Sequence, residues 1–246
     1  MNSRPGWIAN QVINAHRRHS RVWERAVHVE RPEIMDGFMR PELANKIHAD
    51  LERFSKRLGV EGCVLRDIDR LMRQEARSEL KVLEVCAGTG WLSNSIFDRY
   101  TQCGVQVKSV ALDSNADALS LRCLEHGSQV ECVVGDALKM DFEDQAFDLV
   151  VQVQSLHHFE PDAVVALLAE MSRVAQRVYV FDVRRTPFGW LLMHMFRPMA
   201  CREFIHDAAL SHRRAYSTEE LELLAAMAGV DARVESRIGV GMALLG

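Results

Sequence analysis

The stretch Val82-Leu-Glu84-Val-Cys86-Ala-Gly88-Thr-Gly90-Trp-Leu-Ser93 decides how this chain is read. An apolar, β-branched run enters a loop holding two glycines, and a helical pattern follows. Glycine admits backbone dihedrals closed to other residues and lets a ligand approach the main chain. Strand, glycine bend and helix in that order place a ligand at the helix N-terminus. A dinucleotide site carries Gly-x-Gly-x-x-Gly, but Ser93 holds the third position here, so the glycines alone leave the ligand open.

Outward from this stretch the alternation continues. Strands are expected at 81–86, 107–113, 130–135, 147–153 and 177–183, with helices at about 90–100, 115–126, 161–174 and 188–197. Continuous apolar strands, each followed by a helix, indicate a parallel sheet covered on both faces. Ser217-Thr-Glu-Glu220 reads as a capping box opening a helix that stops at Gly229. Two short strands follow, near 231–236 and 240–245, and Arg237–Gly239 is too short a link for a crossover, so they form a hairpin. The expected fold class is α/β: a doubly wound, seven-stranded, mostly parallel sheet with an antiparallel last strand, over 81–246. Residues 1–80 read as an N-terminal helical extension. Within it, Leu43, Ile47, Leu51, Phe54 and Leu58 share a helical face that Gly59 closes, and a second helix is expected at 64–77.

Composition narrows the class. The 246 residues are 48% hydrophobic and 26% charged, with a net charge of −4. This excludes disordered, collagen-like and coiled-coil chains, and no global field draws the protein to nucleic acid or anionic lipid. Residues 1–40 carry seven basic residues against four acids, and Arg17, Arg18, Arg21 and Arg25 read as the solvated face of an amphipathic helix. Six cysteines form no Cys-x-x-Cys pair and no Cys/His spacing suited to zinc, so free thiols and no metal are expected. No apolar run reaches the length of a membrane span, and the N-terminus lacks a signal-peptide core. The expectation is a soluble, cytoplasmic protein.

Three acids stand where open α/β sheets bind ligands, at consecutive strand ends. Glu84 lies inside the first strand and suits an ammonium group. Asp113 ends the second, where a carboxylate accepts hydrogen bonds from a ribose diol. Asp136 follows the third and suits an adenine amino group. So many acids repel a pyrophosphate and favour a cationic, phosphate-free nucleoside.

Together these residues resemble the class I S-adenosylmethionine-dependent methyltransferases. Glu84-Val-Cys-Ala-Gly-Thr-Gly90 is similar to the family's first motif, Asp113 to its ribose-binding acid and Gly135-Asp136 to its adenine-side motif. Phe147-Asp-Leu-Val-Val-Gln-Val-Gln-Ser-Leu-His157-His158-Phe159 resembles its fourth-strand motif. The Leu-His-His-Phe ending is similar to the small-molecule branch that includes ubiquinone and menaquinone C-methyltransferases. Two departures stand out. Cys86 replaces the family's first glycine, and Gln154-Ser155-Leu156-His157 stands where amide and nucleobase N-methyltransferases carry Asn/Asp-Pro-Pro-Tyr/Phe.

The resemblance implies S-adenosylmethionine as cofactor and transfer of its methyl group to an oxygen or carbon of a small, aromatic or polyketide-like acceptor. Donor contacts are expected from Glu84, Cys86, Ala87, Gly88, Gly90, Asp113, Ser114, Asp136, Ala137 and Gln154. His157 follows the strand whose end lies beside the methyl group and is the first candidate base. His206 and Asp207 form a second candidate pair, and His158, Arg185, Arg213 and Tyr216 are candidate acceptor contacts. Part of 1–40 is expected to cover the acceptor pocket. Three other readings stay open: an RNA methyltransferase using the basic N-terminal helix, a non-catalytic S-adenosylmethionine-binding module, and a nicotinamide oxidoreductase.

Overall fold

The fold is described from a computed structural model, which covers residues 5–20, 41–73, 78–123, 130–186, 200–237 and 241–246, with isolated positions at 22, 26, 28, 29, 33, 189, 191, 194 and 195. Three helices precede the sheet: α1 (Pro5–His19), α2 (Pro41–Arg57) and α3 (Val60–Met72). The alternating core follows as β1 (Glu79–Val85), α4 (Trp91–Gln102), β2 (Gln106–Asp113), α5 (Ala116–Cys123), β3 (Val130–Val134) and β4 (Phe147–Val153). It continues through a 3-10 turn at Leu156–His158, α6 (Pro161–Val174), β5 (Ala175–Val183), α7 (Arg202–Arg214), α8 (Thr218–Met227), β6 (Arg233–Arg237) and β7 (Gly241–Leu245). The helix expected at 188–197 lies mostly outside the described residues.

The seven strands are ordered β3-β2-β1-β4-β5-β7-β6, and β7 alone runs against its neighbours. Register aligns Val110, Leu83, Val150 and Val178 across four parallel strands. These side chains join one buried cluster with α1, α6 and α8. Val82, Leu149, Val151, Tyr179 and Phe181, on alternate positions of the same strands, face the opposite side and pack with α3 and α4. A period of two with both faces covered is why these strands read as unbroken apolar runs. Ser217 and Glu220 make the expected capping box at the start of α8.

Two expectations need adjustment. The second extension helix spans Val60–Met72 rather than 64–77, because Gly59 at φ 77 both ends the preceding turn and starts the next helix. Cys63, Cys86, Cys103 and Cys201 are free thiols, but Cys132 on β3 is disulfide-bonded, which corrects the expectation of six free cysteines. No helix among the described residues is long and apolar enough to cross a membrane.

Strand order reverses between β1 and β4, which opens a crevice beyond their carboxyl ends. Each of these strands is followed by a non-glycine residue in the left-handed region, Cys86 at φ 53 and Gln154 at φ 57. Such a conformation costs an L-residue roughly 1–2 kcal/mol. Both turns throw the chain sharply outward, and the crevice opens between them.

Candidate active site

The crevice holds a cavity of about 380 Å³ whose described lining includes Glu84, Asp113 and Asp136 but no lysine or arginine. The three carboxylates are held by backbone donors. Glu84, almost fully buried, accepts from Ser93 N at 2.7 Å and Ser93 Oγ at 2.6 Å, which ties it to the first turn of α4. Asp113 accepts from Gly88 N at 2.7 Å through one oxygen and from Asn115 N at 2.8 Å through the other. It thereby fastens the loop after β1 to the loop after β2. Asp136 accepts from Leu138 N at 2.9 Å. Asp113 and Asp136 face the cavity with acceptor oxygens suited to hydroxyl and amino donors. An all-acidic rim set on backbone amides suits a cationic nucleoside and disfavours a pyrophosphate.

All the expected donor contacts line this cavity except Gly90. Gly90 instead closes the turn, donating to Ala87 O at 2.8 Å, and an added Cβ would meet Ala111 Cβ at 3.3 Å. Its φ of 70 and that tight contact explain the glycine without a ligand. Cys86 lines the cavity as a packing group, its thiol pushed up to about 12 by burial and by Asp113. Sequence reading missed His48, which reaches the cavity from α2; burial lowers its pKa and Asp113 opposes that shift.

A second cavity of about 180 Å³ adjoins the first, and Leu51, Gln154 and His158 line both. Its walls are mostly apolar: Leu51, Phe54 and Leu58 from α2, Phe181 and Val183 from β5, and Phe204 from α7. Ser55 Oγ donates to Gln154 Oε1 at 2.7 Å, so α2 is bound to the turn after β4 at the junction of the two cavities.

Polar groups gather at one end of this second cavity. His157 is buried and fixed twice by Asp182 of β5: its backbone N donates to Oδ2 at 2.9 Å, and its Nδ1 lies 2.8 Å from Oδ1. Burial acts to lower the His157 pKa, but Asp182 and then Glu33 outweigh it and the pKa is raised. Glu33, itself buried, places Oε1 3.5 Å from His157 Nε2 and Oε2 3.8 Å from His158 Nε2. Neither Glu33 nor Asp182 was singled out in the sequence. Asp182 had a signal, a charged residue inside an apolar strand as with Glu84; Glu33 had none.

The other expected residues are placed as follows. Asp207 is buried and lines the second cavity, whereas the His206 side chain beside it is 58% exposed and lines neither. Arg185 also lines neither; its buried guanidinium pairs with Glu220 at 2.7 Å. Tyr216 donates to Phe159 O at 2.7 Å and so supports the donor cavity through Phe159 rather than lining it. Arg213 lines neither cavity. Arg17, from the basic cluster of α1, pairs with Glu220 at 3.0 Å.

Residues 82–177 match the family described as "Methyltransferase domain". A demethylmenaquinone methyltransferase from Bacillus licheniformis is 31% identical over 94 residues, covering 38% of this chain; the chain thus spans 39% of that curated relative's length. A SAM-dependent methyltransferase from Aquifex aeolicus superimposes with a TM-score of 0.60 at 18% identity, over 85% of this chain and 98% of that one. The plantazolicin methyltransferase BpumL, solved with a desmethylPZN analog and SAH, gives 0.62 at 12% identity, over 82% of this chain and 89% of its own. The structural likenesses establish the fold, and the matched segment carries the glycine bend and the acids at the ends of β1, β2 and β3. Over residues 82–177 the chain is thus similar to the methyltransferase domain family, and its fold is that of S-adenosylmethionine-dependent methyltransferases.

Proposed function

We propose that this protein methylates an oxygen or carbon of a small, largely apolar acceptor bound in the second cavity, beside the donor cavity. The observation that carries this reading is the shared wall of Leu51, Gln154 and His158 between an acid-lined and an apolar cavity. When bound, S-adenosylmethionine supplies an electrophilic methyl group on its sulfonium. Glu84 receives its ammonium group, Asp113 its ribose hydroxyls and Asp136 its adenine amino group. The chain's main task is alignment, because near-attack geometry alone lowers a barrier by ~7–11 kcal/mol. Apolar side chains of α2, β5 and α7 hold the acceptor and exclude water. His157, its ring fixed by Asp182, is the group placed to take the acceptor's proton.

The curated relative acts on demethylmenaquinone, as its name states, and an apolar quinone or its reduced, hydroxylated form suits an apolar cavity with a histidine at one end. Fold likeness to BpumL supports a small-molecule acceptor in the same direction. The RNA-methylating alternative loses support because Arg17 of the basic helix is committed to Glu220. The test is turnover of labelled donor against a panel of phenols, hydroxyquinols and short RNAs. Labelled phenol or quinol product, reduced at least tenfold by His157→Ala with donor affinity kept, supports the reading. Labelling of RNA alone, or of nothing while the spent donor binds, overturns it.

A further inference from the structure

Three polar side chains converge at the polar end of the second cavity. Asp182 holds His157 at Nδ1, and His157 Nε2 lies 3.5 Å from Glu33 Oε1. His158 Nε2 lies 3.8 Å from the other oxygen of the same carboxylate, and the two imidazole rings are 4.4 Å apart. A carboxylate and two imidazole nitrogens gathered this closely in a buried space have the chemistry of a cation ligand set.

We propose that Glu33, His157 and His158 bind a divalent first-row cation of zinc's kind. Among the described residues theirs is the group whose ligand atoms all lie within 4.8 Å of one another. Tetrahedral ligation at about 2.0–2.2 Å sets ligand atoms about 3.3–3.6 Å apart; Glu33 Oε1 lies 3.5 Å from His157 Nε2, and the other oxygen, Oε2, lies 3.8 Å from His158 Nε2. Two histidines and one carboxylate are a ligand set that leaves an open position in catalytic sites.

The surroundings fit as well. Asp182 on the far nitrogen of His157 is the carboxylate–histidine support that metal ligands carry. Ser211 Oγ donates to Glu33 Oε1 at 2.8 Å and orients the carboxylate. Arg214, with Nη1 4.0 Å from Glu33 Oε1, works against metal charge. All three ligands line the second cavity, so the open position faces the space assigned to the acceptor. That functional consequence rests on the proposed acceptor cavity; binding of the cation does not. With a cation on Nε2, His157 is a ligand, and an acceptor oxygen would be polarised by the metal in place of the imidazole.

The experiment uses the full chain, stripped by chelator dialysis and titrated with Zn²⁺ by calorimetry and with Co²⁺ by visible absorption. Binding of S-adenosylhomocysteine is measured in parallel. One equivalent of metal is expected, with ring-proton shifts of His157 and His158 in the Co²⁺-loaded wild type. Affinity should fall at least tenfold in Glu33→Gln and His158→Ala, and about 10–100-fold in Asp182→Asn. Absence of stoichiometric binding, unshifted histidine signals, or affinity within threefold of wild type in Glu33→Gln and His158→Ala would overturn the site. The wild-type histidine signals identify the ligands even if a variant fails to fold. Metal binding without any S-adenosylhomocysteine binding would sink the methyl-transfer reading and leave the cation site standing.

Discussion

Replacing Asp113 by asparagine removes a charge while keeping the side chain's shape. Its two oxygens accept from Gly88 N at 2.7 Å and Asn115 N at 2.8 Å. An amide offers one carbonyl oxygen, so one of these N–H groups would face an NH₂ group instead. A hydrogen bond to a charged group contributes ~1.5–3 kcal/mol, and the ribose contact loses its charge assistance as well. Loss of a single such bond to the donor corresponds to roughly 10–150-fold in affinity. The loop after β1 would also loosen, because Asp113 is its tie to β2. Calorimetry with S-adenosylhomocysteine should therefore show Asp113→Asn weakened by at least tenfold. Urea unfolding alongside should show a loss of ~1–3 kcal/mol, which separates the ligand effect from collapse of the fold. Affinity within threefold of wild type in a folded protein would refute the assignment of Asp113 to the donor ribose.

Glu220→Gln should cost ~3–5 kcal/mol in urea unfolding, because it leaves the buried Arg185 charge without its carboxylate at 2.7 Å; a loss below ~1 kcal/mol would mean solvent or other groups already balance that charge. Gly189→Ala places a Cβ 2.4 Å from His212 Nδ1 and should destabilise the fold by ~1–3 kcal/mol, and an unchanged melting temperature would contradict the packing. Burial lowers the His212 pKa to about 4 from 6.5, so the unfolded chain binds the extra proton first as pH falls. Stability should accordingly drop by up to about 3 kcal/mol from pH 6.5 to pH 4. His212→Gln should flatten that slope, and an identical slope in both proteins would exclude His212 as its source.

The sheet was legible because its strands are buried on both faces and therefore stand out as apolar runs between amphipathic helices. The donor cavity was legible because its acids sit at strand ends, positions fixed once the strands are found. The polar end of the second cavity was not, because it is assembled from residues far apart in the chain: Glu33, His157, Asp182 and Ser211. Adjacency in sequence did pair His206 with Asp207, whose Nδ1 and Oδ1 lie 3.0 Å apart, but the His206 ring is 58% exposed and only Asp207 lines the second cavity. Arg17 read as part of a solvated face and Arg185 as an acceptor contact, yet both neutralise Glu220, a partner that no local pattern reveals.

The pairing of Arg17 with Glu220 bears on how short a chain can still fold. Helix α1 contributes Ala9 and Ile13, both fully shielded, to the cluster beneath β1 and β4, and Asn10 is held by Asp162 of α6. Trimming the protein back to position 82, where the family match begins, would strip away that apolar cover and half the counter-charge of an interior carboxylate. Inactivity of such a fragment would then measure lost cohesion as well as lost chemistry.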